Sequence, residues 1–332
     1  MRDLAAFTED EWTAVTRGEA RARLLDSDNR EVAVAGAVRI AAPRAAIVAR
    51  LRDVESLQRS GVVLGVGRFS MPPRADDLGR VSLEDRGLDL RDCRPGDCPV
   101  RLSAGDIARF HRQVDWNAPD WRTRSSAVWR SVLASHTAAY VAEGVRALPV
   151  YSNKEEPLSV ASELALLVER FAPLSEIAPD FYRYLHDMRP SALKGARHLV
   201  YWSKEDFGIR PIIRISHQVA VDAPGQSAPI IVATNQIYAD HYMDAGLGIV
   251  LAIDVPEKPD DAEFYMIAVN RVRTRSLSSW LRTPVRSTVR SRSRDAMRKI
   301  LLVTKQALEQ DAGDRPRATA YGDVVSPNFS MR

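Results

Sequence analysis

Cysteine is almost absent from this chain: Cys93 and Cys98 stand alone, with no second pair and no nearby histidine to complete a zinc site. No run approaches the roughly 20 apolar residues needed to span a bilayer, and Met1-Arg2-Asp3-Leu4 leads into no signal-type apolar region, so a soluble protein is expected. An excess of one charge is missing too. With 47 Lys and Arg against 43 Asp and Glu, the net charge of +4 excludes a global nucleic-acid field and leaves electrostatic recognition to a local patch. There is no Gly-x-Ser-x-Gly elbow, no His-Glu-x-x-His, no phosphate-binding loop and no internal repeat, and the acids are scattered rather than paired. Neither a metal nor a cofactor is expected.

What is present is ordinary globular material. The 332 residues are 45% hydrophobic and 27% charged, enough for one large or two modest cores. Cys93 and Cys98 flank Arg94-Pro95-Gly96-Asp97, whose Pro-Gly step favours a tight turn that brings the sulfurs close. A disulfide, two unpaired thiols and, less well supported, a zinc site all remain open. A disulfide implies an oxidising compartment, periplasmic or secreted with a signal removed; otherwise a cytoplasmic location is expected.

The spacing of apolar residues divides the chain. Residues 1–30 form an N-terminal segment with a helical pattern from Glu9 to Leu25. Glu31 to Ile40 alternates as a half-buried strand, and Pro43 opens a helix with Ile47, Leu51, Val54 and Leu57 at helical spacing. Residues 62–195 read as an insertion, irregular from Val62 to Cys98 and then helical: one helix after the N-cap Ser103, another over Ser125 to Leu148, and more over Pro157 to Phe171 and Pro179 to Met188. After Pro190 the period becomes two. Strands are predicted at Leu199–Trp202, Ile212–Val221, Ile230–Tyr242, Leu247–Ile253 and Phe264–Arg275, with turn signals between them that imply an antiparallel meander. A long amphipathic helix covers Pro284 to Gln310, and 311–332 reads as a surface tail.

In that helix Val285, Val289, Ala296, Ile300, Val303 and Ala307 recur at helical spacing and are expected to face the sheet. The opposite face is basic. Arg271, Arg273, Arg275, Arg282, Arg286, Arg290, Arg292, Arg294, Arg298, Lys299 and Lys305 are opposed within the run only by Asp295.

A strand, a Pro-started helix, antiparallel strands, the Ser278-Ser279-Trp280-Leu281 turn and a long terminal helix together resemble the START-like, or helix-grip (SRPBCC), superfamily of lipid-binding and polyketide-cyclase domains. The resemblance covers residues 31–61 and 196–310. It implies an α+β fold, a curved antiparallel sheet wrapped around the C-terminal helix, here with an inserted helical block. It also implies a cavity for one hydrophobic molecule such as a lipid, sterol or isoprenoid, bound noncovalently for transport or presentation. Loading then requires a loop or the terminal helix to move. The alternative is a cyclase, isomerase or hydrolase using His217 as acid or base. A third reading is a docking module in which Trp280, Arg282, Arg286, Arg290 and Arg294 meet an anionic membrane. No nucleic-acid partner is expected.

The cavity residues expected on this reading are Trp202, His217, Asn235, Tyr238, His241, Met266, Asn270, Val289 and Ile300. In Ile213-Arg214-Ile215-Ser216-His217-Gln218-Val219 the odd positions form the apolar face, so His217 points inward as a polar handle, a general base or a core histidine bonded to backbone. Asn270 falls in register with Phe264, Met266 and Ala268 as a buried amide. Tyr201, Trp202, Tyr265 and Trp280 suit core packing or a membrane-facing rim as well as ligand stacking. His136, beside Trp129 and Tyr140, reads as a core residue. Gly65-Val66-Gly67 lacks the third glycine of a dinucleotide fingerprint and is set aside.

Overall fold

The computed structural model describes residues 2–55, 62–83, 87–206, 210–223, 228–256, 263–275 and 284–313. Its centre is one curved antiparallel sheet of eight strands in the order β1-β2-β10-β9-β8-β7-β6-β3. The strands are β1 (Arg21–Leu24), β2 (Glu31–Ile40), β3 (Val63–Arg68), β6 (Arg197–Glu205), β7 (Ile212–Asp222), β8 (Ile230–Ala239), β9 (Ala245–Asp254) and β10 (Phe264–Arg273). β4 (Val150–Tyr151) and β5 (Leu158–Ser159) pair separately. The protein is α+β, and the meander predicted after Pro190 is present as β6 to β10. Its last strand pairs with β2 over ten residues from Phe264↔Ile40 to Arg273↔Glu31, so the sheet is closed by the early strand rather than by a sequence neighbour.

Helices cover both faces of the sheet. On one side lie α1 (Arg2–Ala5), α2 (Glu9–Thr16) and the inserted block of α4 (Ala104–Gln113), α5 (Trp121–Glu143), α6 (Val160–Glu169), α7 (Leu174–Ile177) and α8 (Pro179–Leu185). Trp129, Leu133, Phe110, Leu164 and Phe171 from the block form one core with Ile213, Val219, Ala233, Ile249 and Val269 from the sheet. On the other side lie α3 (Ala46–Arg52) and the terminal helix α9 (Pro284–Gly313). There Ile47, Met297, Leu301 and Leu308 pack on Val34, Val38, Val232, Met266 and Ala268. The period-two alternation of the strands thus feeds two separate cores.

Local sequence explains the block's entry. Ser103 caps α4, its hydroxyl accepting from Asp106 N at 3.1 Å while the Asp106 carboxylate accepts from Ser103 N at 3.1 Å. The loop before α4 is stapled by a Cys93–Cys98 disulfide with both cysteines buried. That loop also bonds to the segment after β4 through Gly96 N to Ser152 O at 2.7 Å.

Several sequence expectations are corrected. The helix expected over Glu9–Leu25 stops at Thr16, and Arg21–Leu24 instead joins the sheet beside β2; four residues alternating basic and apolar carry almost no strand propensity of their own. β3, expected as irregular insertion, is the far edge strand. Its Gly65 and Gly67 make room for the Trp202 indole: a Cβ on Gly67 would lie 2.6 Å from Trp202 Nε1, which donates to Asp77 O at 2.8 Å. The strand expected to reach Tyr242 ends at Ala239, and Asp240 to Asp244 form the turn.

The terminal helix is rotated relative to expectation. Its sheet-facing seam is Met297, Leu301, Thr304 and Leu308, whereas Ile300 and Val303 face solvent with 54% and 45% of their surface exposed. Gly36 on β2 sets this seam, since a Cβ there would come within 2.7 Å of both Leu301 and Met297. Two polar anchors fix the helix end: Lys305 Nζ donates to Arg39 O at 2.8 Å, and Ala41 N donates to Glu309 Oε1 at 2.9 Å. No helix among the described residues is long and apolar enough to cross a membrane.

Candidate functional site

The expected cavity residues divide between the two faces of the sheet. Trp202, His217, Asn235 and Tyr238 belong to the face covered by the inserted block, while Met266 and Asn270 belong to the face carrying α9. His241 sits in the β8–β9 turn against Asp240, Val289 is half-buried on α9, and Ile300 faces out. Trp280, Arg282 and the side chain of Arg286 lie outside the described residues. One pocket cannot collect the whole set, because neighbours in a strand point to opposite faces.

On the block face, His217 anchors a buried hydrogen-bond chain. Asn235 Nδ2 donates to Tyr140 Oη at 3.1 Å, Tyr140 Oη meets His217 Nδ1 at 3.0 Å, and His217 Nε2 meets His198 Nδ1 at 3.0 Å. The register places His217 opposite Asn235 on β8 and Val200 on β6, which brings His198 alongside. Because Tyr140 already accepts from Asn235, its O–H is the group left to donate to His217 Nδ1. The next proton then sits on His217 Nε2, and the last on His198 Nε2. Side chains, not backbone, satisfy this histidine. His136, the single histidine of α5, pairs with Asp106 at 3.1 Å.

Burial lowers the proton affinity of His217 to a pKa of about 3, with the neighbouring His198 adding to the effect. Burial also lowers that of His198 and raises that of the Tyr140 hydroxyl, so the chain is neutral near pH 7. Both imidazole values lie below the ordinary histidine value of 6.5, so the unfolded chain binds the extra protons. Their contribution to stability is complete above that pH and is lost as pH falls, at roughly 1.4 kcal/mol per pH unit for the fully buried His217. Replacing His217 with Gln should flatten the fall in denaturation midpoint between about pH 6.5 and pH 4.5. Parallel wild-type and variant curves would contradict the neutral pair.

The α9 face is different in character. Across it runs the row Gln218–Thr234–Gly248–Asn270–Val34, and beside it the row Tyr201–Ser216–Gln236–Gly246–Val272. Gly246 and Gly248 remove side chains from the middle of both rows. A Cβ on either would meet only sheet neighbours, Gln236 Oε1 and Asn270 Oδ1 each at 3.4 Å. Thr234, Gly248, Val250 and Val272 stay partly exposed and Asn270 is exposed, so Asn270 is not the buried amide expected. α9 packs on β1, β2 and α3, to one side of this strip. Gln236 Nε2 donates to Met243 O at 3.2 Å, while its buried Oε1 has no hydrogen-bond partner. This strip, here called the trough, has Gly246 and Gly248 at its centre, Val34, Val250 and Val272 along it and amides at Gln236 and Asn270; it is partly open at Gly248, Val250 and Val272, while Gly246, Gln236 and Val34 are buried.

Four of the arginines expected in the basic patch, Arg271, Arg273, Arg275 and Arg294, are paired with acids. Arg271 bonds to buried Glu31 at 2.5 Å, Arg273 to Asp28 at 2.8 Å and Glu163 at 2.5 Å, and Arg275 to Glu156 at 3.3 Å. They pin β10 to α6 and the loops beside it. Arg290 turns inward to Ser27 Oγ at 3.0 Å, and Arg294 meets Asp295. The sequence signal that reveals the trough is the Gly-x-Gly of β9, which helical and strand periodicity do not weigh. Among the described residues no three metal-ligating side chains come together. No protein-family model, no curated protein and no solved structure matches this chain.

Proposed function

We propose that the protein is a helix-grip carrier that holds one hydrophobic molecule bearing a polar group, noncovalently, in the trough beside α9. The observation that carries this reading is the pair of glycines, Gly246 and Gly248, at the centre of the sheet face that α9 flanks. Glycine inside a central strand weakens the strand, and the atoms nearest to a Cβ at either position belong to sheet neighbours, unlike Gly36, where they belong to α9. The strand order supports it further, with the earliest long strand closing against the last and the terminal helix on that face. An aliphatic or ring system fits against the partly exposed Val250 and Val272, and the exposed Asn270 amide can bond the polar group of the ligand. At about 25 cal/mol per Å², burying a few hundred Å² of such a ligand supplies on the order of 10 kcal/mol before ordering costs.

Replacing Gly248 with Leu fills the trough. Binding of a fluorescent fatty acid or sterol selected from a lipid extract is expected to weaken at least about tenfold, while the thermal midpoint stays within a few degrees. A wild-type protein that takes no lipid from the extract, or a Gly248→Leu variant that binds as well as wild type, would remove the proposal.

A catalytic reading rests on the other face, where the Tyr140–His217–His198 chain ends at a buried His198 Nε2 without a partner. His217 cannot act on a molecule in the trough, because the sheet lies between them. A His217→Ala variant that keeps ligand binding but loses turnover of a hydrophobic substrate would favour this alternative.

A further inference from the structure

The rotation of α9 leaves an apolar stripe in solvent. Ile300, Leu302 and Val303 are 54%, 45% and 45% exposed, and Arg292, Arg298 and Lys299 are exposed on the same helix. Residues 286–305 hold seven basic side chains and one acid, Asp295. The helix is not short of a partner on its inner side, where Met297, Leu301 and Leu308 are fully engaged. Ile300 and Val303, three positions apart, form a short aliphatic stripe on one flank of α9 beside Lys299, while Leu302, two positions from Ile300, lies round the other side of the helix.

We infer that α9 lies on an anionic lipid surface, with Ile300 and Val303 entering the headgroup–acyl boundary and Arg292 and Lys299, on the same flank, meeting lipid phosphates or carboxylates. Charge complementarity selects this occupant. A second copy of the chain docking by the same stripe would bring these cations against their own counterparts, a like-charge juxtaposition. A nucleic acid would use the cations but has no use for exposed aliphatic side chains. A helix with a basic rim and an aliphatic stripe satisfies both requirements of an interfacial helix at once. The inference goes beyond the carrier reading and stands without it, because it concerns the outer side of α9 rather than the trough.

Co-sedimentation of the full chain with vesicles tests it. Vesicles of phosphatidylcholine containing about one-quarter phosphatidylserine should pull down the wild-type protein, and phosphatidylcholine alone should bind it at least roughly tenfold more weakly. Replacing Ile300 and Val303 together with Ser should weaken binding to the anionic vesicles by a similar factor, with circular dichroism unchanged since both side chains are in water. Raising salt to about 0.5 M should weaken binding further. Three outcomes would overturn the inference: no binding to anionic vesicles, equal binding by the double variant, or a wild-type dimer that the double variant converts to monomer. Gly248→Leu, which fills the trough, should bind the vesicles as wild type does, so failure here and failure of the carrier reading are separate results.

Discussion

A Gly144→Ala protein is expected to lose about 3 kcal/mol or more of stability, the largest effect of adding a methyl at any described glycine. Gly144 closes α5 with φ +71° and ψ −149°, a region that side-chain-bearing residues hardly enter. An added Cβ would lie 2.1 Å from the backbone oxygen of Asp187, and that oxygen cannot retreat freely because it accepts Val145 N at 2.8 Å. The Asp187 carboxylate is itself held by a two-pronged bond from Arg189 at 2.8 Å. Relief therefore requires the end of α5 and the exit of α8 to separate. Gly96 supplies the control: its φ is +91°, yet nothing lies within 4 Å of the Cβ position, so Gly96→Ala bears the backbone strain alone, about 1 kcal/mol. Chemical denaturation of both variants isolates the steric part as their difference, and equal midpoints would refute the argument. The displacement should also reach the histidines, since Gly144 N donates to Tyr140 O. Nitrogen chemical shifts of His217 should report the loss of its Tyr140 partner.

These positions also show what the amino-acid pattern conveys and what it withholds. The meander from β6 to β10 was legible because alternation and turn residues are local signals, and the Ser103 cap was legible because its Asp106 partner is three residues away. β1 was not, since its strand state depends on β2 offering an edge rather than on Arg21-Ala22-Arg23-Leu24. The seam of α9 was misplaced because apolar residues occupy more than one side of that helix; Gly36, 261 residues before Met297, decides which side is buried. His217 was correctly placed on an inward face. Its partners Tyr140 and His198 come from α5 and β6, and no spacing along the chain announces that meeting. Cys93 and Cys98 left bonded and free states open, and the fold brings the sulfurs together because the intervening turn is tied to Ser152 and Asn153.

Removing the carboxylate of Asp244 should cost about 3–5 kcal/mol, because it leaves a guanidinium charged, desolvated and unpaired. Arg101, just before α4, and Asp244, at the β8–β9 turn, meet at 2.6 Å with side chains only 8% and 3% exposed. Arg101 also donates to the carbonyls of Ala239 and Met243, while the second Asp244 oxygen accepts Arg275 N at 2.5 Å. One ion pair thereby joins the inserted block, the turn of the sheet and the end of β10. Burial disfavours both charges, lowering the pKa of Arg101 and raising that of Asp244 against the attraction between them. Such a pair adds little net stability over an apolar substitute, yet breaking it from one side is severe. Asp244→Ala and Arg101→Met should each lower the urea midpoint. Asp244→Ala should do more harm, since it leaves the arginine behind and also frees Arg275 N. The double variant Arg101→Met with Asp244→Leu should regain at least half of the Asp244→Ala loss. Additive losses in that cycle would show that the two side chains act independently and that the block is held to the sheet by its apolar core alone.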